Sequence, residues 1–336
     1  MHSDRMEQTT DIRSPFTGGK VVEVFSLEKQ TFKGEEYWVH ARYYRCVDTG
    51  EHFSTTEQDQ LTLNDLYSQY RIKHGIPFPD EIRKTRLKYG LNYAQIGRIL
   101  GFGANQYAKY ENGQIPSDSN GRMMGAIRYK SVMLSLVENL RDLFEPEDYD
   151  KIHNLVAASR EDEPDQHADR FIYEGTQRSI YNGFGEFNHR KVEEMVRFFV
   201  SRQGKSYPTK LNKELFYADF LHYKQYGISI SGLRYQAIRF GPVPVHYSTI
   251  YDRVPGLCRE PVFHDGFEAT VFSCDGCDLS VFDEREIKTL QSVSAVLTPL
   301  SVKDIVEKSH EEPGWQAHYK DHDIIPYSEA YHLKLM

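Results

Sequence analysis

The sequence predicts an α+β protein of several domains: a small β-rich unit, an all-helical domain, and a larger, mainly helical α+β domain. Three observations lead to this prediction. Short runs of β-forming residues between glycine-containing turns fill residues 1–62. Apolar residues then recur at the helical period of about 3.6 residues. A charged, proline-containing stretch at 160–167 separates this region from a second one, in which helices alternate with short strands.

Length and composition limit the class of protein. A chain of 336 residues suits two or three domains, and an aromatic content of 13% is enough for compact cores. No apolar run approaches the roughly 20 residues that span a bilayer, and the N-terminal residues lack the apolar segment of a signal peptide. We therefore expect a cytoplasmic protein with no membrane association.

The expected domain boundaries follow the changes in pattern along the chain. The domains are a β-rich unit (1–62), a helical domain (63–118), a helical connector with a possible role in dimerisation (119–160), a linker (161–185) and a C-terminal α+β domain (186–336).

The first unit clusters β-forming residues at 20–25, 31–34 and 37–44. Because so few residues form a poor core, units of this size usually depend on a metal. In the next region Asp80 is expected to cap a helix that ends at Gly90.

Residues 91–113 have the pattern of a DNA-reading helix-turn-helix. Ile96, Ile99 and Leu100 form an apolar stripe, residues 101–103 make a tight turn, and a second helix is expected from about Ala104 to Tyr110. The amide and basic side chains of that second helix are the candidates for reading base edges: Asn105, Gln106 and Lys109. Three nearby cations are the candidates for phosphate contacts: Lys84, Arg86 and Arg98.

Charge is distributed unevenly in a protein of net charge −8. Residues 81–110 hold six Lys or Arg against one acid, a net charge of +5, whereas residues 141–170 hold four bases against ten acids, a net charge of −6. A basic module in an acidic protein fits local contact with DNA.

Between the two halves, Ser117 or Ser119 is expected to begin one long amphipathic helix that runs through Leu140. Its apolar face belongs either to the core or to a dimer interface. In the C-terminal domain we expect helices near 192–199 and 211–221, a strand pair at 228–240, a rigid turn at 241–244, a hairpin at 262–281, and helices that begin at Asp283 and at Thr298 or Ser301.

The chain carries four cysteines, and Cys274 and Cys277 form a single CxxC. A structural zinc ion needs four ligands, so Cys258 and His264 would have to supply the other two. A hairpin turn with incidental thiols is the favoured interpretation, and we expect neither a metal nor a cofactor. Asp219, His222 and His246 could be an acid/base or metal set, but their helical spacing beside aromatic residues favours capping, hydrogen-bonded or surface roles.

The first half resembles the MqsA-type (YgiT-type) antitoxins over residues 43–51, 81–86 and the helix-turn-helix. The resemblance implies a zinc ribbon joined to a DNA-binding helix-turn-helix, with bases read from Asn105 and Lys109; here lysine replaces the more usual arginine. Of the four thiolates that such a ribbon requires, only Cys46 is present, since Ser14, Thr17 and Thr49 occupy the other positions. Hydroxyls do not ionise near neutral pH, so we expect a ribbon-shaped unit without metal.

The second half resembles the Panacea domain of SocA-like antitoxins over residues 210–220 and 238–244, with Ser309-His310 and Trp315 as a C-terminal signature. The resemblance implies a module that binds and neutralises a protein toxin. The residues that we name for the apolar contact with the toxin are Tyr217, Phe240 and Val243.

These observations favour an antitoxin of a type II toxin–antitoxin system. Such a protein would bind its toxin through the C-terminal domain and repress its own operon, as a homodimer on operator DNA. The alternative is a helix-turn-helix regulator whose C-terminal domain binds another protein or a ligand, including a role as a proteolytic adaptor. No phosphate-binding loop, nucleophile elbow or HExxH motif is present, so we expect no enzymatic activity.

Overall fold

The computed structural model describes residues 5–103, 105–160, 177–264 and 267–336. The chain divides into two compact units. The first comprises Met1–Lys29, Trp38–Thr62 and Ile172–Met336, and the second comprises Gln30–Tyr37 and Leu63–Phe171. Within the described residues, no helix is long and apolar enough to cross a bilayer.

The N-terminal region forms a four-stranded sheet in the order β1-β2-β3-β4. Its strands are β1 (Arg5–Arg13), β2 (Lys20–Phe32), β3 (Glu35–Cys46) and β4 (His52–Phe53). Val21, Val24 and Val39 are buried, as the apolar clusters of the sequence predict. Lys33 and Gly34 join β2 to β3 with φ values of 48° and 82°, which is the left-handed geometry of a tight hairpin turn.

The helices described between residues 56 and 158 belong mainly to the second unit. They are α1 (Thr56–His74), whose first turns belong to the first unit, α2 (Pro79–Lys88), α3 (Tyr93–Ile99), α4 (Gln106–Glu111), α5 (Asp118–Ala126), α6 (Lys130–Asn139) and α7 (Pro146–Ala158). The cap of α2 is Phe78 rather than the predicted Asp80, because Pro79 starts the helix with its fixed φ. Ser117 caps α5 as predicted, but the single long helix is wrong: α5 ends at Ala126 and α6 begins at Lys130.

Apolar side chains of these helices meet in one core, which includes the predicted Ile96 and Ile99 and against which the predicted Leu100 packs. Ile96, Ile99 and Tyr107 pack in it together with Met124 and Ile127 of the α5 region. Within this unit, the predicted stripe of α3 therefore belongs to a core.

The C-terminal region begins with α8 (His189–Gln203) and α9 (Pro208–Tyr226). The following elements are β5 (Tyr235–Ile238), β6 (Gly241–Pro244), α10 (Tyr247–Asp252), β7 (Cys258–His264), β8 (Phe267–Ser273), α11 (Glu284–Leu297), α12 (Val302–His310), α13 (Pro313–His318) and β9 (Ile324–Ile325). Every residue of α9 from Lys210 to Tyr223 is buried, so α9 is the central helix of this region.

Two predictions for residues 228–244 need correction. The segment 241–244 is a strand and not only a rigid turn, because β6 pairs antiparallel with β5 at the edge of a sheet ordered β6-β5-β9. The strand pair expected over 228–240 reduces to β5 alone, since the backbone amides of Ile230 and Ser231 donate to a side chain of α9 instead.

The division into units differs from the predicted boundaries. The predicted β-rich unit of 1–62 does not stand apart, because most of it packs with 172–336. Phe25 stacks on Tyr331 with ring centroids 5.6 Å apart, and the Arg42 guanidinium lies 4.4 Å from the centre of the Tyr331 ring. Most of the predicted linker, residues 161–176, lies outside the described residues.

Candidate functional site

Local hydrogen bonds and a glycine turn hold the helices that carry the predicted base-reading residues. The Tyr107 hydroxyl of α4 is buried and donates a 2.9 Å hydrogen bond to the carbonyl oxygen of Ile82 in α2. Asn92 and Gln95 form a reciprocal capping box at the start of α3. Gly101 allows the turn between α3 and α4, because its φ of 68° is disfavoured for residues with a Cβ.

The three predicted base-reading residues differ in exposure and in hydrogen bonding. Asn105 precedes α4, and both it and Lys109 are exposed. The Asn105 side chain makes no capping hydrogen bond, so it is not committed to its own helix. Gln106 is only half-buried, and its amide donates a long 3.4 Å bond to the Gln114 side chain. Ala104, the expected first residue of this helix, lies outside the described residues.

Among the predicted phosphate contacts, Arg86 needs correction. Its Nε and Nη2 atoms donate to the two carboxylate oxygens of Glu111 at 2.8 and 2.9 Å, and the Glu111 side chain is only 5% exposed. A guanidinium whose fork is filled by a carboxylate is not available to a phosphate. Sequence reasoning missed Glu111, because 25 residues separate it from Arg86.

Lys84 and Arg98 remain exposed. The Arg98 guanidinium donates to the carbonyl oxygen of Leu143 and lies 4.3 Å from the centre of the Phe144 ring. Of the three predicted phosphate contacts, Lys84 and Arg98 therefore keep a surface position.

Two turns of the same geometry carry the residues that occupy the positions of the four zinc-ligating cysteines in the resemblance described above. The turns begin at Ser14 and Cys46. In each turn the glycine four residues later donates its amide hydrogen to the first carbonyl, at 2.8 Å for Gly18 and 2.9 Å for Gly50. Both glycines have positive φ, 72° and 77°.

The two turns bring Ser14, Thr17, Cys46 and Thr49 together, and we call these four residues the knuckle cluster. Thr17 Oγ1 lies 3.6 Å from the sulfur of Cys46. Hydrogen bonds from Ser14 and then Thr49 lower the pKa of the Cys46 thiol to about 6. Thr17 supports this shift less, because its one proton goes to Asp48 at 2.7 Å. One sulfur and three hydroxyl oxygens do not fit the donor set of a structural zinc ion.

The CxxC does not lie in the hairpin turn that the sequence predicts: β8 ends at Ser273, and Cys274 and Cys277 lie in the loop that follows it. The Cys274 thiol donates to the carbonyl oxygen of Arg197, and burial raises the pKa of Cys277. Among the described residues, no group of three or more His, Cys, Asp and Glu is arranged to hold a metal. The side chain of His264, a ligand in the alternative interpretation, is outside the described part of the chain.

A buried polar centre organises α9. Asp219 is fully buried and accepts 2.9 Å hydrogen bonds from the amides of Ile230 and Ser231, a 2.6 Å bond from the Tyr235 hydroxyl, and a bond from the Ser231 hydroxyl. Burial raises the pKa of Asp219, and these four donors oppose the rise. Asp219 therefore has the hydrogen-bonded role that the sequence favours.

The two histidines considered with Asp219 have separate surroundings. His222 is buried and shares a 2.9 Å hydrogen bond with the Thr289 hydroxyl, and burial lowers the pKa of His222 to about 4. His246 occupies the N-cap position of α10 with a positive φ of 58°, and its side chain makes no capping hydrogen bond. Asp219 and His222 have different hydrogen-bond partners, and the three residues do not form a metal-binding group.

Two of the three predicted toxin contacts are buried. Tyr217 is 0% exposed and its hydroxyl donates a 2.9 Å bond to Glu312, while Val243 is 5% exposed in β6. A side chain without surface cannot contact a partner, so both residues are withdrawn from the contact set. Phe240 is 55% exposed and remains.

Phe240 lies on an open groove of about 680 Å³. The groove lies between the β5–β6 connection and α12. Its lining residues are Thr209, Arg239, Phe240, Val302, Lys303, Val306, Glu307 and His310. Sequence reasoning missed this groove, because its residues come from three separate segments.

Comparison with known proteins identifies an antitoxin-like domain in this half of the chain. Residues 211–316 match the family described as antitoxin SocA-like, Panacea domain. The match runs from α9 into α13, so it includes Asp219, the β6 strand and Trp315. No curated protein and no solved structure matches the chain. The Panacea domain predicted from the sequence is confirmed over these residues.

Proposed function

We propose that the protein is a cytoplasmic antitoxin that acts by binding rather than by catalysis. Its C-terminal domain would bind and neutralise a protein toxin, and its helical domain would repress the operon. The observation that carries this proposal is the match of residues 211–316 to an antitoxin family. The exposed ring of Phe240 beside an open groove supports a protein-binding role for the same domain.

The test of neutralisation is growth rescue. The full chain is co-expressed with each small open reading frame adjacent to its gene whose product alone stops growth, and rescue is the expected outcome. The full chain is needed because 172–336 packs with most of 1–62. If no such product is neutralised, the antitoxin function is refuted.

The proposed operator contact uses Asn105 and Lys109. Both are exposed at one short helix, in a region of net charge +5. A homodimer would place two such helices about one DNA turn apart, which fits a palindromic operator. Lys84 and Arg98 would position the helix through phosphate contacts.

We predict that Asn105→Ala lowers discrimination at one operator base pair by about 1–3 kcal/mol. Because Asn105 lies in the second unit, growth rescue should be unchanged. The measurement is a gel shift on operator variants, with Gln69→Ala as a control amide substitution in α1. Wild-type base preference in the Asn105 variant would contradict the assignment.

The alternative is a transcription regulator whose C-terminal domain binds another protein or a ligand. The exposed polar residues of the α4 region favour this alternative, because contact with DNA through them would not require a toxin. Operator binding without neutralisation of any neighbouring gene product would select this alternative.

A further inference from the structure

The groove beside Phe240 has apolar walls and an unbalanced charge. Phe240 and, from α12, Val302 and Val306 supply the apolar surface. Lys303 lies 3.8 Å from Glu307, the only acid in the lining. Arg239 has no carboxylate within ion-pair distance among the described residues, and its guanidinium lies 5.3 Å from the centre of the Phe240 ring. The rim therefore presents one uncompensated cation against an aromatic face.

A buried lysine lies beside the groove. Lys213 of α9 is 0% exposed, and its Nζ makes no hydrogen bond within the described structure. A Cβ on Gly241 would come within 2.5 Å of Lys213 Cε and 3.1 Å of its Nζ, so the amine lies directly beneath the residue that follows Phe240. Burial alone lowers the pKa of Lys213 to about 7, since no carboxylate opposes the effect.

His310 joins the groove to this buried amine. His310 lines the groove and its Nε2 has no hydrogen-bond partner in the described structure, while its ring stacks on Trp315 at 4.1 Å. Burial, and then the charge of Lys213, lower the pKa of His310, so the two groups are close enough to interact. Lys213 has no surface of its own, so it acts on the groove through its charge rather than by contact with a ligand.

We propose that this groove binds an acidic, apolar-flanked segment of a partner protein, in which a carboxylate pairs with Arg239 and an adjacent apolar side chain packs on Phe240. Lys213 adds positive potential from beside the groove. The proposal rests on the proposed function, because it describes the segment by which a toxin would be held. The charge complementarity decides for an acidic segment: Lys303 and Glu307 offset each other, so a basic segment would face the uncompensated charge of Arg239.

The test uses a random peptide library displayed on phage and selected on the full chain. We expect the selected peptides to carry Asp or Glu next to Leu, Ile, Phe or Met. Replacing that acid by its amide should weaken binding about tenfold. Selected peptides without an acidic residue would overturn the proposal.

Variants of the protein locate the site. Arg239→Glu and Phe240→Ala should each weaken the selected peptides about tenfold or more, and Lys213→Met should weaken them less. Arg202→Glu and Phe263→Ala are matched controls: Arg202 lies 4.4 Å from the Phe198 ring centre, Phe263 is 73% exposed, and neither lines the groove. The site would be refuted if the control variants lost as much peptide affinity as Arg239→Glu and Phe240→Ala, or if Arg239→Glu lost none. This test holds even if Lys213→Met fails to fold.

Growth rescue with the same variants separates the two proposals. If rescue fails for Arg239→Glu but not for Arg202→Glu, the groove is the toxin site. If the wild type rescues and both variants rescue equally, the antitoxin function stands and the groove proposal is wrong. If the peptides behave as expected but no gene product is neutralised, the groove stands and the antitoxin function is wrong.

Discussion

Asp219 offers the sharpest test of how the C-terminal domain is held together. Its carboxylate is fully buried and accepts from two backbone amides and two hydroxyls. Asp219→Ala would leave the amides of Ile230 and Ser231 without an acceptor, and neither amide can turn to find another. The hydroxyls of Ser231 and Tyr235 can rotate.

The expected magnitude follows from these contacts. Each buried donor left unsatisfied costs about 1–3 kcal/mol, so the two amides alone lower the free energy of unfolding by about 2–6 kcal/mol. The lost hydrogen bonds of the two hydroxyls and the small cavity bring the expected decrease in the free energy of unfolding for Asp219→Ala to about 4 kcal/mol or more. Asp219→Asn keeps one oxygen for the two amides but directs an NH₂ group at the hydroxyls, so about 1–3 kcal/mol is expected.

The assay is denaturant unfolding followed by tryptophan fluorescence. Both tryptophans of the chain, Trp38 and Trp315, lie in the first unit, so this signal reports the unit that contains Asp219. Asp304→Ala is the control, because Asp304 is exposed and its hydrogen bonds are with Ser301 at the start of α12. The reasoning would be refuted if both Asp219 variants lost less than about 1 kcal/mol of unfolding free energy while the dependence of that free energy on denaturant concentration stayed as in the wild type.

The second unit and the knuckle cluster give two more predictions. Hydrogen bonds from three neighbours, His74 foremost, lower the pKa of Glu35 from 4.5 to about 2, so its stabilisation is present above pH 4.5 and lost as the pH falls towards 2. As the pH falls from 4.5 to 2, the melting temperature of the wild type, measured by far-UV circular dichroism, should therefore approach that of Glu35→Gln. A difference in melting temperature that stays constant over this range would contradict the lowered pKa of Glu35. Replacing Ser14, Thr17 and Thr49 together by Cys should create a site with one Zn²⁺ or Co²⁺ per chain, because the 3.6 Å from Thr17 Oγ1 to Cys46 Sγ is close to the roughly 3.8 Å between sulfurs at 2.3 Å from zinc. Absence of the Co²⁺–thiolate absorption in that variant would show that the turns do not keep metal-site geometry.

Local signals in the sequence were sufficient for several helix ends. Asp283 caps α11 and Ser301 caps α12 as predicted, because each side chain accepts from an amide two or three residues along the chain. Gly90 ends the α2 region with a φ of 63° for the same kind of local reason. Such features depend on residues within one turn of each other, so one sequence suffices to predict them.

Pairings across the chain were not predictable in this way. Two prolines in four residues indicate a turn, yet β6 accommodates Pro242 and Pro244 because it lies at the sheet edge, where missing amide hydrogens leave no neighbour unpaired. Strand β1 was missed because its residues are largely polar and exposed, so no apolar alternation marks it. Arg86 looked like a phosphate contact until the fold placed Glu111 against it.

The motif that identified the C-terminal domain marks its scaffold rather than its interface. Asp219 and Ser309 are fully buried, Val243 is 5% exposed, and the Trp315 indole donates a 2.9 Å bond to the Ile238 carbonyl. These side chains are held by the fold itself, which is why Tyr217 and Val243 failed as contact residues. The exposed Arg239 and Phe240 stand immediately before the motif glycine of β6, so the scaffold fixes where they are presented while leaving their side chains in solvent. Under the proposed function, substitutions at the groove rim would change the partner and leave the buried centre intact.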